Sequence, residues 1–403
     1  MKEVLPFSEI GKIVSPIKTW NPVRSNQIEP FLYIDLSSID QKEKRIVVTS
    51  KILPKEAPSR ARQLLREGDV LVSTVRPNLN GVAYVSLELD GATASTGFCV
   101  LRPKQGKLVG RYLYHWVQSP QFVEEMVKFA TGANYPAVSD RIIKDSQIPL
   151  PLLEEQKRIA AILDKAAAIR RKRLQAIKFA DDFLHALFLD MFGDPVINPK
   201  GWEVKKLKEI STNILSGTTP KGGKQVYVEE GVIFFRSQNV WRNRLLLDDV
   251  TYIDNETHLK MKKSSLKNKD ILMTKTGRIN TENSSLGRAA MFLGKNNSAN
   301  INGHVYLIRL QKTIIHEYVL YILTTDEYRE YIRRVCVGGI DKRQINKEHL
   351  EEFPIIFPPL DLQNRFATIV ELVEQQKARL RGHLAELDIL FASLTQHAFR
   401  GEL

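Results

Sequence analysis

The sequence predicts an α+β protein in which two α/β globules alternate with two long helices, the helices pairing as an antiparallel coiled coil and the whole forming an internal pseudo-two-fold repeat. Three observations predict it. A proline-led phrase recurs at an offset of 207 residues, each copy opens a long heptad-patterned run, and each is preceded by short β-rich runs broken by turn dipeptides.

The duplication sets the frame. IPLPLLEEQKRIAAILDKA from Ile148 matches IIFPPLDLQNRFATIVELV from Ile355, placing Pro151 on Pro358, Gln156 on Gln363 and Arg158 on Arg365. Upstream, GANYPAVSDRIIKDSQIPLP aligns with GIDKRQINKEHLEEFPIIFPP, GDVLVSTVRP from Gly68 with KDILMTKTGR from Lys269, and TGFCVLRP from Thr96 with NGHVYLIRL from Asn302. Four segments result: a first domain over 1–150, a long helix over 151–192, a linker and second domain over 193–353, and a second long helix over 354–403.

Inside the domains, runs such as ILMTK and HVYLIRL carry the branched and aromatic residues of strands, and NG, GG and SG dipeptides mark turns. RYLYHWVQSPQFVEEMVKFATG and EYVLYILTTDEYREYIRRVCVGG space their apolar residues at helical intervals and end in Gly.

In the first long helix the heptad frame runs Ile159, Ile162, Ala166, Ile169, Arg173, Ala176, Ala180, Phe183 and Leu187; in the second it runs Phe366, Ile369, Val373, Gln376, Leu380, His383, Leu387, Leu390 and Leu394. A helix of about 40 residues is about 60 Å long and must lie along a partner of like length. The other copy in the same chain is preferred to an intermolecular coil. Gln156, Arg158, Ile159, Ile162, Ile169, Phe183, Gln363, Arg365, Phe366, Ile369, Leu387 and Leu390 are assigned to helix pairing or partner docking, and Arg173, Gln376 and His383 to register.

Composition narrows the function. With 43% apolar and 26% charged residues and no bilayer-length apolar run, the chain reads as a globular protein without a membrane partner. Its start lacks the pattern of a signal peptide, so a cytoplasmic location is expected. Cys99 and Cys336 stand alone, which argues against zinc or a disulfide framework and for two buried, reduced thiols. The net charge of +13 divides as +5 over 1–150, +2 over 151–192, +7 over 193–353 and −1 over 354–403, so both domains favour an acidic partner such as nucleic acid.

Catalytic patterns are missing. There is no GxxxxGK[ST], no GxGxxG after a strand and no HExxH, and the eight histidines are scattered. FPPL at Phe357 to Leu360 lacks the polar first residue and the aromatic last residue of the [DN]PP[YF] motif of amino-methyltransferases, and its repeat mate is LPLL. Both read as proline-stopped starts of the long helices. No catalytic, metal or cofactor residue is therefore assigned. Binding chemistry remains: Arg76, Asn78 and Asn80 in VRPNLNG match Lys275, Thr276, Arg278 and Asn280 in TKTGRIN, residue types that pair with base edges or hold phosphates. Tyr135 in TGANYP and Lys342 and Arg343 in GGIDKRQI form a second matched set. The alternatives are ordinary solvated turns, with Gly132 and Gly338 capping the helices before them.

With these phrases in hand, the whole chain resembles the specificity subunits of type I restriction-modification enzymes. The resemblance rests on PLPLLEEQKRIAAIL and FPPLDLQNRFATIV, on FGDPVINPKGWEVKKL from Phe192, on SGTTP at Ser216 to Pro220 and on the terminal AFRGEL, in that order and duplicated. It departs where VLPFSEI lacks the Trp of WEVKKLKEI, and where Asn364 and Phe366 replace Lys157 and Ile159. The resemblance implies two target-recognition domains that each read half of a split double-stranded DNA site, and helices that fix the gap and dock partners. It further implies two modification subunits that bind S-adenosylmethionine and methylate adenine at N6, and restriction subunits that use ATP and Mg. A self-contained methyltransferase or nuclease, and a coiled-coil scaffold for proteins, are the competing readings.

Overall fold

The computed structural model describes residues 5–132, 134–278, 284–339 and 342–403. It divides into two compact units, Met1–Ala176 with Leu380–Leu403, and Ile177–Arg379. The cut falls inside the long helices, Leu153–Phe192 and Leu360–Arg400, not at their ends as the four sequence segments had it. Each unit packs one half of one helix against one half of the other.

The first unit holds an antiparallel sheet ordered Val14–Ser15, Phe98–Pro103, Val70–Ser73, Val82–Tyr84. Period-two alternation feeds two cores: Val70, Val72, Cys99 and Leu101 face the helical side, while Leu71, Ala83 and Val100 face the other. A second sheet pairs Phe31–Ile34 in parallel with Thr93–Ser95, flanked by Ser50–Ile52 and Ala61–Leu64.

The second unit repeats the plan. Ser211–Ser216, Val305–Leu310, Ile271–Thr274 and Ala289–Met291 form the antiparallel sheet, and Val232–Phe235 runs parallel to Ala299–Ile301 in the other. Both units bury the same ion pair. Arg102 grips Asp69 at 2.8 and 2.7 Å, Arg309 grips Asp270 at 2.8 and 2.6 Å, and each guanidinium also donates to a carbonyl, that of Leu64 or of Ser265. These bidentate bonds satisfy a carboxylate that burial would otherwise penalise. Short strands Phe7–Glu9 with Gln147–Pro149, and Val204–Lys206 with Pro354–Ile356, close each unit at the start of its long helix.

Several of the phrases gain a physical reason. In SGTTP, a Cβ at Gly217 would lie 2.3 Å from the carbonyl oxygen of Ile301, so only glycine fits. The FGDPVINPKGW turn ends the first long helix, with Trp202 Nε1 donating to Phe192 O at 2.9 Å. In AFRGEL, Phe399 is buried in the first unit between Trp116 and Tyr112, 5.0 and 5.3 Å away. Cys99 and Cys336 are buried free thiols.

The helix halves run antiparallel within each unit. In the first, Arg158 donates to Leu403 O and Arg170 pairs with Asp388; in the second, Asp181 meets Lys377 while Phe188 and Phe192 meet Phe366. The seam keeps half of the sequence frame, with Ala166, Arg173, Ala180, Leu187, Val373, Leu380, Leu387 and Leu394 half-buried, and displaces the other half. From Ile159 it passes through Leu163, Arg170, Ile177 and Leu184, and from Phe366 through Val370, Lys377, Leu384 and Phe391, one position beyond the expected Ile162, Ile169, Phe183, Ile369, Gln376, His383 and Leu390. Ile169, Phe183 and Leu390 are accordingly exposed, while Ile162, Ile369 and Leu387 are half-buried. The spacing begins with a step of four instead of three, because the polar residues of the seam, Arg170 and Lys377, find carboxylates there and not at Arg173 or Gln376.

Candidate nucleic-acid interface

In the first unit the strand Val70–Ser73 runs out into residues 74–80, whose path is set by two left-handed residues, Arg76 at φ 51 and Asn80 at φ 47, on either side of the turn Pro77–Leu79. The segment around Tyr135 runs beside it. Val75 bridges Ala137, and the Arg76 N–H donates to Pro136 O at 2.7 Å. The Arg76 guanidinium then stacks on the Tyr135 ring, 4.8 Å from its centroid, with both side chains exposed. Asn78 is exposed as well, whereas Asn80 is half-buried with its amide 3.5 Å from Gln118 O.

The second unit makes the same juxtaposition with regular strands. Thr276–Gly277 pairs with Lys342–Gln344, which pairs in turn with Val337–Gly339. Lys342 and Arg278 are exposed, while Lys275 lies half-buried with its ammonium 5.3 Å from the Tyr306 ring. Arg343 turns inward and donates to Cys336 O at 3.1 Å, so its fork is partly committed to the fold. Asn280 lies outside the described residues.

Thus two sets of residues, separated by over fifty positions in each domain, come together on one edge of each unit. Gly132 and Gly338 are not helix caps. The helices before them end at Phe129 and Val335 with extended caps, and both glycines carry positive φ (106 and 115) because the chain doubles back there; a Cβ would stand 3.0 Å from Tyr135 O and 2.5 Å from Lys342 O respectively.

The glutamines shared by the repeat also lie differently from expectation. Gln156 is buried, accepting from Val109 N at 2.9 Å and donating to Pro151 O at 2.9 Å, and Gln363 is buried, donating to Pro358 O at 2.7 Å. They anchor the first turns of the helices and present nothing to a partner. Arg158 and Arg365 are exposed.

The family model for the type I restriction modification DNA specificity domain matches residues 30–178 and 199–387, one copy per repeat. The chain belongs to the type I restriction-modification specificity family. It is 25% identical over 328 residues to the type I restriction enzyme MjaIX specificity subunit of Methanocaldococcus jannaschii, covering 77% of this chain and 71% of that one. It is 26% identical over 337 residues to the StySPI specificity subunit of Salmonella potsdam, covering 76% and 68%. A chain from a solved structure concerned with complex assembly and conformational transition of the type I R-M system aligns over 100% of this chain and 99% of its own, at 26% identity and TM-score 0.55. The S subunit of M. genitalium shares the fold, at 15% identity, TM-score 0.56 and coverage of 99% and 97%.

As a specificity subunit the chain is a non-catalytic DNA-recognition component that works with other restriction-modification subunits. Among the described residues, no helix is long and apolar enough to cross a membrane.

Sequence reasoning missed two small hairpins, one in each unit. In the first unit, Ile39–Asp40 pairs with Arg45–Ile46, and Lys44 Nζ reaches Asn80 O at 2.6 Å. Burial, opposed by Asp40, pushes Lys44 down to about 8. Gln41, Arg76, Leu79, Phe98 and Tyr135 help to line a concavity of about 270 Å³ between hairpin and loop. In the second unit Val240–Trp241 pairs with Arg244–Leu245. A signal was present only in the second, where WRNR puts the turn former Asn243 between basic residues, whereas KEKR has none, and a two-residue strand is below what periodicity resolves.

A buried cluster fixes the first long helix to its domain. Arg111 and His115 Nε2 both bond Asp164, the histidine at 2.7 Å, and Arg111 also stacks on Tyr84 and Tyr114 at 4.7 and 4.6 Å. Burial pushes His115 down, so at neutral pH it donates as a neutral ring and Arg111 supplies the charge. Burial alone would raise Asp164, but the hydrogen bonds from His115 and Arg111, with the charge of Arg111, outweigh it and hold the carboxyl at about 2. A depressed carboxylate stabilises the fold above its unfolded value of about 4, and that contribution is lost as pH falls through about 2. Wild type should therefore lose stability between those values by more than Asp164→Asn does, as read by urea midpoints across that range; parallel curves would refute the assignment.

Proposed function

We propose that each unit reads one half of a bipartite, asymmetric double-stranded DNA target. In the first unit Arg76, Asn78 and Tyr135 meet the duplex, and in the second Lys275, Thr276, Arg278 and Lys342. The observation that supports this reading is the recurrence of one loop-on-strand juxtaposition in both units with different side chains on it: an Arg–Tyr stack in one, and Lys, Thr and Arg in the other. Equivalent backbone with unlike side chains suits two half-sites of unlike sequence. The paired long helices set the gap between half-sites and, through exposed residues such as Ile169, Phe183, Arg365 and Leu390, dock the modification subunits. S-adenosylmethionine, ATP and Mg belong to the partner modification and restriction subunits, and adenine N6 methylation is directed to the chosen site through them.

The test is methylome sequencing of a methylation-free host expressing this chain with its modification subunit. A split motif with unlike halves, absent when the chain is omitted, is expected. Identical halves would overturn the asymmetric reading, and an assembled complex with no motif would leave the scaffold reading in its place.

A further inference from the structure

The concavity of about 270 Å³ in the first unit is apolar where its neighbours are polar. Leu36, Ile39, Val75, Leu79 and Phe98 supply its apolar wall, with Ser37, Gln41 and Ser73 beside them. Arg76 and Tyr135, stacked on each other and both exposed, border it on the surface.

The wall is held in place from several sides. Ile39 and Phe98 are buried in the domain core. Leu36 opens the turn Leu36–Ser38, whose cap Asp35 accepts from the N–H groups of Ser37 and Ser38 at 2.8 and 3.1 Å. Leu79 ends the turn Pro77–Leu79, where its N–H donates to Arg76 O at 2.9 Å. Lys44 Nζ then ties that turn to the hairpin, donating to Asn80 O at 2.6 Å and to Leu79 O at 3.4 Å. The concavity is therefore formed before anything enters it, and an occupant need not order the protein around it. Even so, Leu79 stays 39% exposed, a large apolar side chain directly beside the exposed Asn78.

A DNA duplex has one group that suits such a wall. In the major groove the base edges display hydrogen-bond donors and acceptors and, on thymine alone of the four bases, an apolar C5 methyl. A guanidinium directed at a base edge from Arg76 brings the adjoining concavity over a neighbouring base pair. The second unit is built differently at this place. Its turn Ser237–Asn239 follows Val232–Phe235 as Leu36–Ser38 follows Phe31–Ile34, so Ser237 stands where the first unit has Leu36.

We propose that the concavity is a thymine-methyl subsite, in which Leu36 and Leu79 take the C5 methyl of a thymine next to the base pair met by Arg76. This deepens the reading of DNA by the first unit set out above and rests on it. Burying one methyl-sized group in apolar surroundings changes affinity about fourfold.

The experiment is duplex binding by the complex with the modification subunit, followed by fluorescence anisotropy, on the motif found by methylome sequencing. Each thymine is replaced singly by uracil, which lacks only the methyl, and each base pair is separately exchanged for another. One thymine of one half-site should bind about fourfold more weakly as uracil, and Leu79→Ala should remove most of that difference. The wild-type uracil series decides the matter even where Leu79→Ala does not assemble. Base pairs that matter while no uracil does would overturn the subsite. An equal uracil penalty in wild type and Leu79→Ala overturns it too, by placing the methyl contact elsewhere. Tighter binding to 5-methylcytosine at a cytosine of the motif, without a uracil effect, overturns the assignment to thymine. If no base-pair exchange in either half-site alters binding, the reading of DNA itself fails and the subsite falls with it.

Discussion

Phe366→Ala is expected to destabilise the second unit by about 3–5 kcal/mol, the range for deleting a fully buried aromatic side chain. Phe366 is completely buried and touches three other rings, Tyr321 at 4.9 Å, Phe188 at 5.4 Å and Phe192 at 5.5 Å, all tilted or edge-on. Phe188 and Phe192 belong to the first long helix, Phe366 to the second, and Tyr321 to the domain helix His316–Thr324. One side chain therefore joins both helix halves to the domain, and its loss leaves a cavity that three rigid rings cannot collapse to fill. The corresponding residue of the first unit is Ile159, also buried, so the matching Ile159→Ala should cost less. Denaturant unfolding of the intact chain, followed by near-UV signals, checks both. A loss under about 1 kcal/mol for Phe366→Ala would mean that the helix halves are held by something else.

The repeat, the two long helices and the pairing of the two loop sets were legible because each leaves a periodic or duplicated trace. Asp69 with Arg102, and Asp270 with Arg309, sit in the duplicated phrases GDVL and KDIL, CVLRP and YLIRL, and the structure shows why: strand neighbours bury a carboxylate that only a fork can satisfy. What failed was one of the two seam positions in each heptad. A frame chosen to maximise apolar residues takes Ile169 and Phe183 inward, but the chain puts Arg170 and Lys377 there because Asp388, Asp181 and Glu374 can neutralise them. Sequence shows charge but not which charge will find a partner across a helix pair. Gln156 and Gln363 misled for the related reason that a shared polar residue reads as a contact surface, when both are spent on backbone groups at the helix starts.

On the proposed reading of DNA by the first unit, Arg76→Gly is expected to relax one position of that unit's half-site, at a cost of about 1–3 kcal/mol in discrimination, and to leave the other half-site intact. Arg76 is a non-glycine residue held at φ 51, a conformation that costs energy and persists here because its N–H is bonded to Pro136 O and its side chain is stacked on Tyr135. Such a guanidinium is oriented before it meets a base, so little side-chain entropy is lost on contact. Glycine keeps the left-handed turn and removes only the fork, whereas Arg76→Ala would also strain the loop. The comparison therefore separates reading from folding. If both variants relax the same single position in the methylome, Arg76 reads a base there. If Arg76→Ala changes the motif and Arg76→Gly does not, the residue shapes the loop and another side chain reads, with Gln41 at the rim of the neighbouring concavity the next to replace.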